Sequence, residues 1–255
     1  MRTVIVTALL FACLSAGDAA ARVDTLSDTC EVRDCVVYSY ENCNSDIEGE
    51  DCRRYNGGGV INMGIGSSGP SRSRRVLMQF PGWDGVVPDS SAMRIFCIYE
   101  DDPLDRRIFL YPVTSGFFEG TETAYTLGDY PEPDSGATWL HSWLDVADGD
   151  STLWISPGGD YTAAVACTAL FTNVQAYQTF SHFNRILNYW DTSASTHGIV
   201  LINEDAFPAN TAAKVVKSSE SPPEYAPLLL LYYPDTVSAS RRRRLIIAPN
   251  SMKPM

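Results

Sequence analysis

The sequence is most informative at first for what it lacks. No C-x-x-C pair occurs, so the four-cysteine zinc ribbon has no footing. No H-E-x-x-H run and no G-x-S-x-G elbow is present, which removes the common signatures of zinc proteases and serine hydrolases. The chain has three histidines, His141, His182 and His197, and no two stand at metal-binding spacing. His197, beside Gly198, reads as the entry to a strand. Positive charge is scarce: 19 Lys and Arg face 31 Asp and Glu, for a formal net charge of -12 and a pI near 4.6. Phosphate recognition needs clustered Lys and Arg, so the acidic body excludes nucleic-acid binding. It also disfavours a polyanionic glycan unless Ca²⁺ bridges the two. No internal repeat is found, and no segment approaches the roughly 20 apolar residues of a membrane-spanning helix.

The N-terminus, MRTVIVTALLFACLSAGDAAARVD, has a basic residue, a short apolar run and a small-residue Ala19-Ala20-Ala21 site, in that order. It reads as a secretory signal peptide over residues 1–21, cleaved before Arg22. A secreted, extracellular location follows as the expectation. Of the seven cysteines, Cys13 leaves with the signal. Cys30, Cys35, Cys43, Cys52, Cys97 and Cys167 remain, and an even number in an exported chain predicts disulfides. Four of them fall between Cys30 and Cys52, predicting two local bridges of undetermined pairing. Cys97 in RIFCIYE and Cys167 in AAVACTAL sit in strand-like runs and are expected to bridge two strands; two buried thiols are the alternative.

Three zones follow the signal. Residues 22–55 are polar, acidic and cysteine-rich, and are expected to depend on their bridges. Residues 56–234 carry nearly all the aromatic and long apolar runs and have the length of one domain. Residues 235–255 form a basic tail. Its run Arg241 to Arg244 fits either a processing site or a plain solvated tail. Within the central zone, VLMQF, AMRIFCIYE, RIFLYPVT, STLWIS, YTAAVACTALF, HGIVLINED and APLLLLYYP are short, β-branched or aromatic runs. Gly, Pro, Asp and Ser punctuate them. One segment, ALFTNVQAYQTFSHFNRILNYWDT, has a helical period through Phe180, Phe183, Ile186, Leu187 and Trp190. It reads either as a strand followed by a short helix or as two strands. The predicted class is all-β: an antiparallel, jelly-roll-like β-sandwich with a disulfide-rich N-terminal extension.

Few residues stand out as chemistry-bearing. GIGSSG matches G-x-G-x-x-G, but PSRSRR follows it and opens no helix, so it reads as a loop between strands. Carboxylates cluster at turns. Among them Asp101 and Asp102 are the first candidates for hard-oxygen ligation of Ca²⁺, against the plainer reading of solvated turn residues. Trp139 and Trp143 flank His141 in ATWLHSW, a polar segment between acidic turns, and these three are the candidate ligand-binding residues. Aromatic faces stack on the apolar faces of sugar rings. Trp154, inside STLWIS, is expected in the core.

The central zone also resembles a known family. YNGGGVINMGIG, RSRRVLMQFPGWDGVVPDSSAMRIFCIYEDD, VTSGFFEGTE, GATW, SPGGDY, NYWDTSASTHGIVLINED and KVVKSSESPPEYAPLLLLYY follow one another as do segments of the DNRLRE domain. That domain is a secreted β-sandwich module related to carbohydrate-binding modules. The resemblance runs from about Tyr55 to Pro234. Phe117, Thr196-His197 and Ala226 depart from the family's usual residues. The resemblance implies a sandwich fold and a non-catalytic role, and its motifs fall on scaffold rather than on ligand contacts. The function expected is recognition of a polysaccharide or cell-surface glycan. The alternatives are a structural subunit of an extracellular matrix, appendage or fibril, and a glycoside hydrolase or polysaccharide lyase.

Overall fold

The computed structural model describes residues 22–27, 32–39, 52–54, 56–67, 73–98, 103–120, 135–172, 175–193, 198–203 and 212–233. The strands are β1 (Arg22–Leu26), β2 (Arg33–Tyr38), β3 (Asn56–Gly57), β4 (Asn62–Ser67), β5 (Ser73–Gln79), β6 (Ser90–Ile98), β7 (Arg106–Pro112), β8 (His141–Leu144), β9 (Ser151–Leu153), β10 (Cys167–Phe171), β11 (Ala176–Ser181), β12 (Gly198–Asn203), β13 (Ala212–Lys217) and β14 (Leu228–Tyr233). One helix, α1 (Asn184–Thr192), follows β11. No helix among the described residues is long and apolar enough to cross a membrane.

Twelve of these strands form one antiparallel sheet, in the order β1-β14-β6-β13-β4-β5-β12-β7-β10. β11 adds to β6, and β2 adds to β5 and carries β3. β8 and β9 make a separate two-stranded hairpin. The sheet curls on itself. Met93 and Ile95 of β6, Leu229 and Leu231 of β14, Ile108 and Leu110 of β7 and Ala169 and Phe171 of β10 all enter one core, although their strands stand far apart in the order. A flat sheet cannot bring these rows together; a half-barrel does.

Burial patterns explain which strands were easy to read. β6 and β14 alternate buried with half-exposed positions, and β10 alternates buried with exposed ones, as strands with one solvated face do. β2, β5, β7 and β12 are buried on both faces. Val36, Val76, Ile108 and Ile199 point into the main core. Cys35, Leu77, Tyr111 and Val200 point the other way, into a second apolar layer with Val113, Phe117, Ala137 and Trp154. Two-sided burial requires unbroken apolar runs, hence DCVVY, VLM and GIVL. The second layer is roofed by the β8–β9 hairpin and the loops around it.

The helical period resolves as a strand followed by a short helix. Phe180 is buried in β11, Phe183 is buried at the N-cap of α1, and Ile186, Leu187 and Trp190 are buried along one side of the helix. Phe80, Phe183 and Trp190 meet ring to ring, with centroids 5.7 to 6.1 Å apart. His182 turns the chain from β11 into α1 with φ 59.

Three expectations need correction. Within the N-terminal zone, β2 does not depend on bridges alone. β2 lies between β5 and β3, and Val32, Cys35, Val36 and Val37 are buried. Apolar burial, at roughly 1.5–3 kcal/mol for each fully buried aliphatic side chain, therefore holds it. GIGSSG is not wholly a loop, since Gly64 to Ser67 belong to β4. A Cβ on Gly64 would approach the Arg74 side chain to 2.9 Å, so the glycine gives that side chain room.

The third correction concerns cysteine. Cys97 and Cys167 form no bridge. The Cys97 thiol donates to the carbonyl of Ile98 and the Cys167 thiol to that of His182, each at 3.5 Å. The strands explain this: Cys97 pairs with Ala176 of β11 and Val216 of β13, whereas Cys167 pairs with Leu110 of β7. Cys35, expected in a local bridge, is a buried thiol on the second apolar layer. Cys30 and Cys43 lie outside the described residues, as does the side chain of Cys52.

Candidate binding site

The β8–β9 hairpin is built from ATWLHSW and STLWIS. Thr138 fixes its entry. The Thr138 side-chain oxygen accepts from the backbone N–H of Leu140 at 3.2 Å and of His141 at 3.1 Å. It also lies 3.0 Å from His141 Nδ1. Trp154 is buried as expected and locks the other strand, its indole N–H donating to the Thr138 carbonyl at 2.8 Å. GATW thus acts as a turn anchor.

Alternation along β8 buries Ser142 and Leu144 and leaves His141 and Trp143 half-exposed. Phe118 lies beside Trp143, with ring centroids 6.3 Å apart and planes 47° apart. Phe118 is 60% exposed, while its neighbour Phe117 is buried against Trp154. Leu153, opposite His141 in the ladder, is 66% exposed. The outcome is a platform of two rings, an imidazole and an aliphatic side chain open to solvent. Sequence reasoning found His141 and Trp143 but missed Phe118. The available signal was the Phe-Phe pair in an extended segment, where one ring must face out.

Trp139 is not part of that platform. Its ring is half-buried beneath the SPGGD turn, with the Arg75 guanidinium 4.8 Å from the ring centroid. Arg75 projects from β5 on the side of the second apolar layer. It also lies 5.6 Å from the Tyr161 ring centroid and donates from Nη1 to the carbonyl of Gly158 at 3.1 Å. Tyr161 stacks on Tyr111, and Tyr111 on Phe109, at 5.1 and 5.9 Å. A pocket of about 440 Å³ opens here, lined by Arg75, Thr114, Ile155, Ser156, Asp160 and Tyr161, among others. Asp160 shapes its rim. One carboxylate oxygen accepts from the Ser156 N–H at 2.7 Å, and the other from the Ile155 N–H and the Ser115 hydroxyl, both at 3.0 Å.

A third polar cluster is buried under β2. Asp34 is fully buried and accepts from the Ser219 N–H at 2.7 Å through Oδ2, while its Oδ1 has no hydrogen-bond partner. The backbone N–H of Asp34 donates to Glu119 Oε1 at 2.7 Å. Burial raises the Asp34 carboxyl well above its ordinary range, and the negative charge of Glu119 adds to it. Burial likewise raises Glu119 to about 7, with Glu220 adding and Arg33 opposing. Cys35, beside them, is also pushed up by burial. Two carboxyls with raised pKa values resemble a general-acid pair in their protonation alone. Asp34, however, is shut off from solvent.

The calcium candidates Asp101 and Asp102 lie outside the described residues, as does His197. Among the described residues, no group of three or more His, Cys, Asp or Glu side chains is placed to hold a metal ion. In comparisons with known proteins, no family model and no curated protein matches this chain.

Proposed function

We propose that this protein is a secreted, non-catalytic β-sandwich module that binds a polysaccharide or cell-surface glycan. One observation carries the reading: the solvent-open platform of Trp143, Phe118, His141 and Leu153. Sugar rings present apolar faces to aromatic rings and hydroxyls to neighbouring polar groups. A Trp–Phe pair beside a half-exposed histidine supplies both. The platform stands on a hairpin whose strands are locked by Thr138 and Trp154, which keeps the cost of ordering it on binding low. The curled antiparallel sheet suits the jelly-roll-like sandwich that the resemblance to the DNRLRE domain implies. Strand β1 begins at Arg22, the first residue after the segment read as the leader. Ca²⁺ held at Asp101 and Asp102 belongs to the same proposal as a loop-stiffening ion.

The non-catalytic part rests on the resemblance and on the missing catalytic motifs; Asp34, the buried member of the carboxyl pair, has no access to a scissile bond. The test is a glycan array probed with and without EDTA. Binding to a defined set of glycans is the expected result; lowered binding in EDTA would assign calcium a role. Silence across all glycans would move the protein to the alternative, an extracellular structural subunit.

A further inference from the structure

We infer that the pocket over Arg75 is a second ligand site, distinct from the Trp143 platform, and that it holds a single oxyanion, carboxylate or sulfate, carried on a small ligand or on one residue of a glycan. The inference rests on the proposed function only for the glycan as the source of that ligand. Arg75 is the cation lining the pocket of a strongly acidic protein. The guanidinium has five N–H donors. The Gly158 carbonyl takes one of them, and no carboxylate among the described residues pairs with the rest. The acidic group at the rim, Asp160, already accepts two hydrogen bonds from its own turn and a third from the Ser115 hydroxyl.

The guanidinium carbon lies 4.8 Å from the Trp139 ring centroid and 5.6 Å from that of Tyr161, and these two contacts with the Gly158 bond hold the charge in one orientation. Such a fork matches the two oxygens of a carboxylate or sulfate. The other side of the pocket supplies the Tyr161 ring, the exposed side chain of Ile155 and the Thr114 and Ser156 side chains, apolar and polar in the mixture that a sugar ring meets. A volume of about 440 Å³ lies within the range for small-ligand pockets.

A purely structural Arg75 makes a different prediction. Its stacking and its bond to Gly158 would then serve only to fasten the turn, and added anions would change nothing. The two are separated by titrating the purified secreted chain with methyl glucuronide, glucose 6-sulfate and methyl glucoside. Tryptophan fluorescence is the readout, with Trp139 as the reporter at 4.8 Å, and calorimetry serves as a check. At least one anionic probe should bind saturably, and its binding should weaken as salt is raised. The neutral glucoside should bind at least about tenfold more weakly, a difference of roughly 1.4 kcal/mol. Whichever anion binds identifies the group. Arg75→Gln should abolish binding and Arg75→Lys should reduce it severalfold, because lysine lacks the planar fork.

Should Arg75→Gln fail to fold, Ala163→Trp is the second variant. It fills the pocket from an exposed rim position and should abolish binding equally. Trp143→Ala should leave the anionic probes unaffected, so failure of the platform and failure of this pocket read out separately. Absence of saturable binding by either anionic probe in the millimolar range, or binding that survives both Arg75→Gln and Ala163→Trp, would overturn the inference.

Discussion

The backbone N–H of Asp34 donates to the carboxylate of Glu119 across 85 positions of sequence, at 2.7 Å. That bond, with the Ser219 N–H on Asp34 Oδ2, ties β2 to two distant loops through acids that are held toward their neutral forms. Both folded-state pKa values lie above those of the unfolded chain. The folded state therefore binds more protons than the unfolded one between the two values, and stability falls as pH rises through that window. For Glu119 the window runs from 4.5 to about 7. Thermal unfolding measured from pH 4.5 to 8 should show the higher melting temperatures at the acidic end. Glu119→Gln keeps the acceptor for the Asp34 N–H and should flatten part of that slope. Since Glu119 is partly solvent-screened, the flattened part should be about 1 kcal/mol, or a few degrees.

Asp34→Asn tests the same cluster at its buried member. The amide keeps an oxygen for the Ser219 N–H and places a neutral NH₂ where Oδ1 finds no partner. The variant should be more stable than the parent at pH 8, by about 1–2 kcal/mol, with the advantage shrinking toward acidic pH. Denaturant melts at two pH values measure it, and a large loss of stability at both would count against the protonation reading.

Gly158 makes the turn over Arg75 possible. Its φ is 88, and a Cβ there would come within 2.7 Å of Arg75 Nη1 and 2.8 Å of the Trp139 ring. Gly158→Ala should therefore cost about 1–3 kcal/mol through backbone strain and displacement of the guanidinium. The same variant should change Trp139 fluorescence without unfolding the main core, which lies on the opposite face of β5.

The cysteine geometry gives a chemical prediction. Alkylation in denaturant without reductant, followed by peptide mass spectrometry, should label Cys35, Cys97 and Cys167. In the folded protein the three should react slowly, because they are buried and because burial raises Cys35 and holds Cys167 at about 11. A Cys97–Cys167 linked peptide would contradict the strand order.

Strands with simple alternation or long apolar runs were legible in the sequence: β5, β6, β7, β10, β12 and β14. β2 escaped because Asp34 and Cys35 break its pattern. Both are buried, and only the contacts from Glu119 and Ser219, remote in sequence, explain how an aspartate sits there. β4 escaped because Gly64 and Gly66 mimic a loop while serving close packing and a positive φ. At the candidate site, His141 and Trp143 were legible from local polarity. Phe118 and Arg75 were not, because their positions depend on which distant segments fold over the sheet. The spacing of Cys97 and Cys167 could suggest strands but not that those strands pair with different neighbours.

The central claim is that the Trp143–Phe118 platform binds sugar. The most direct measurement takes a glycan captured by the parent protein and compares its affinity for Trp143→Ala and Phe118→Ala. Each ring lost should weaken binding by about twofold to tenfold or more while the melting temperature changes little, as stacking contacts worth roughly 0.5–1.5 kcal/mol beyond buried area imply. Unchanged affinity in both variants would contradict the account.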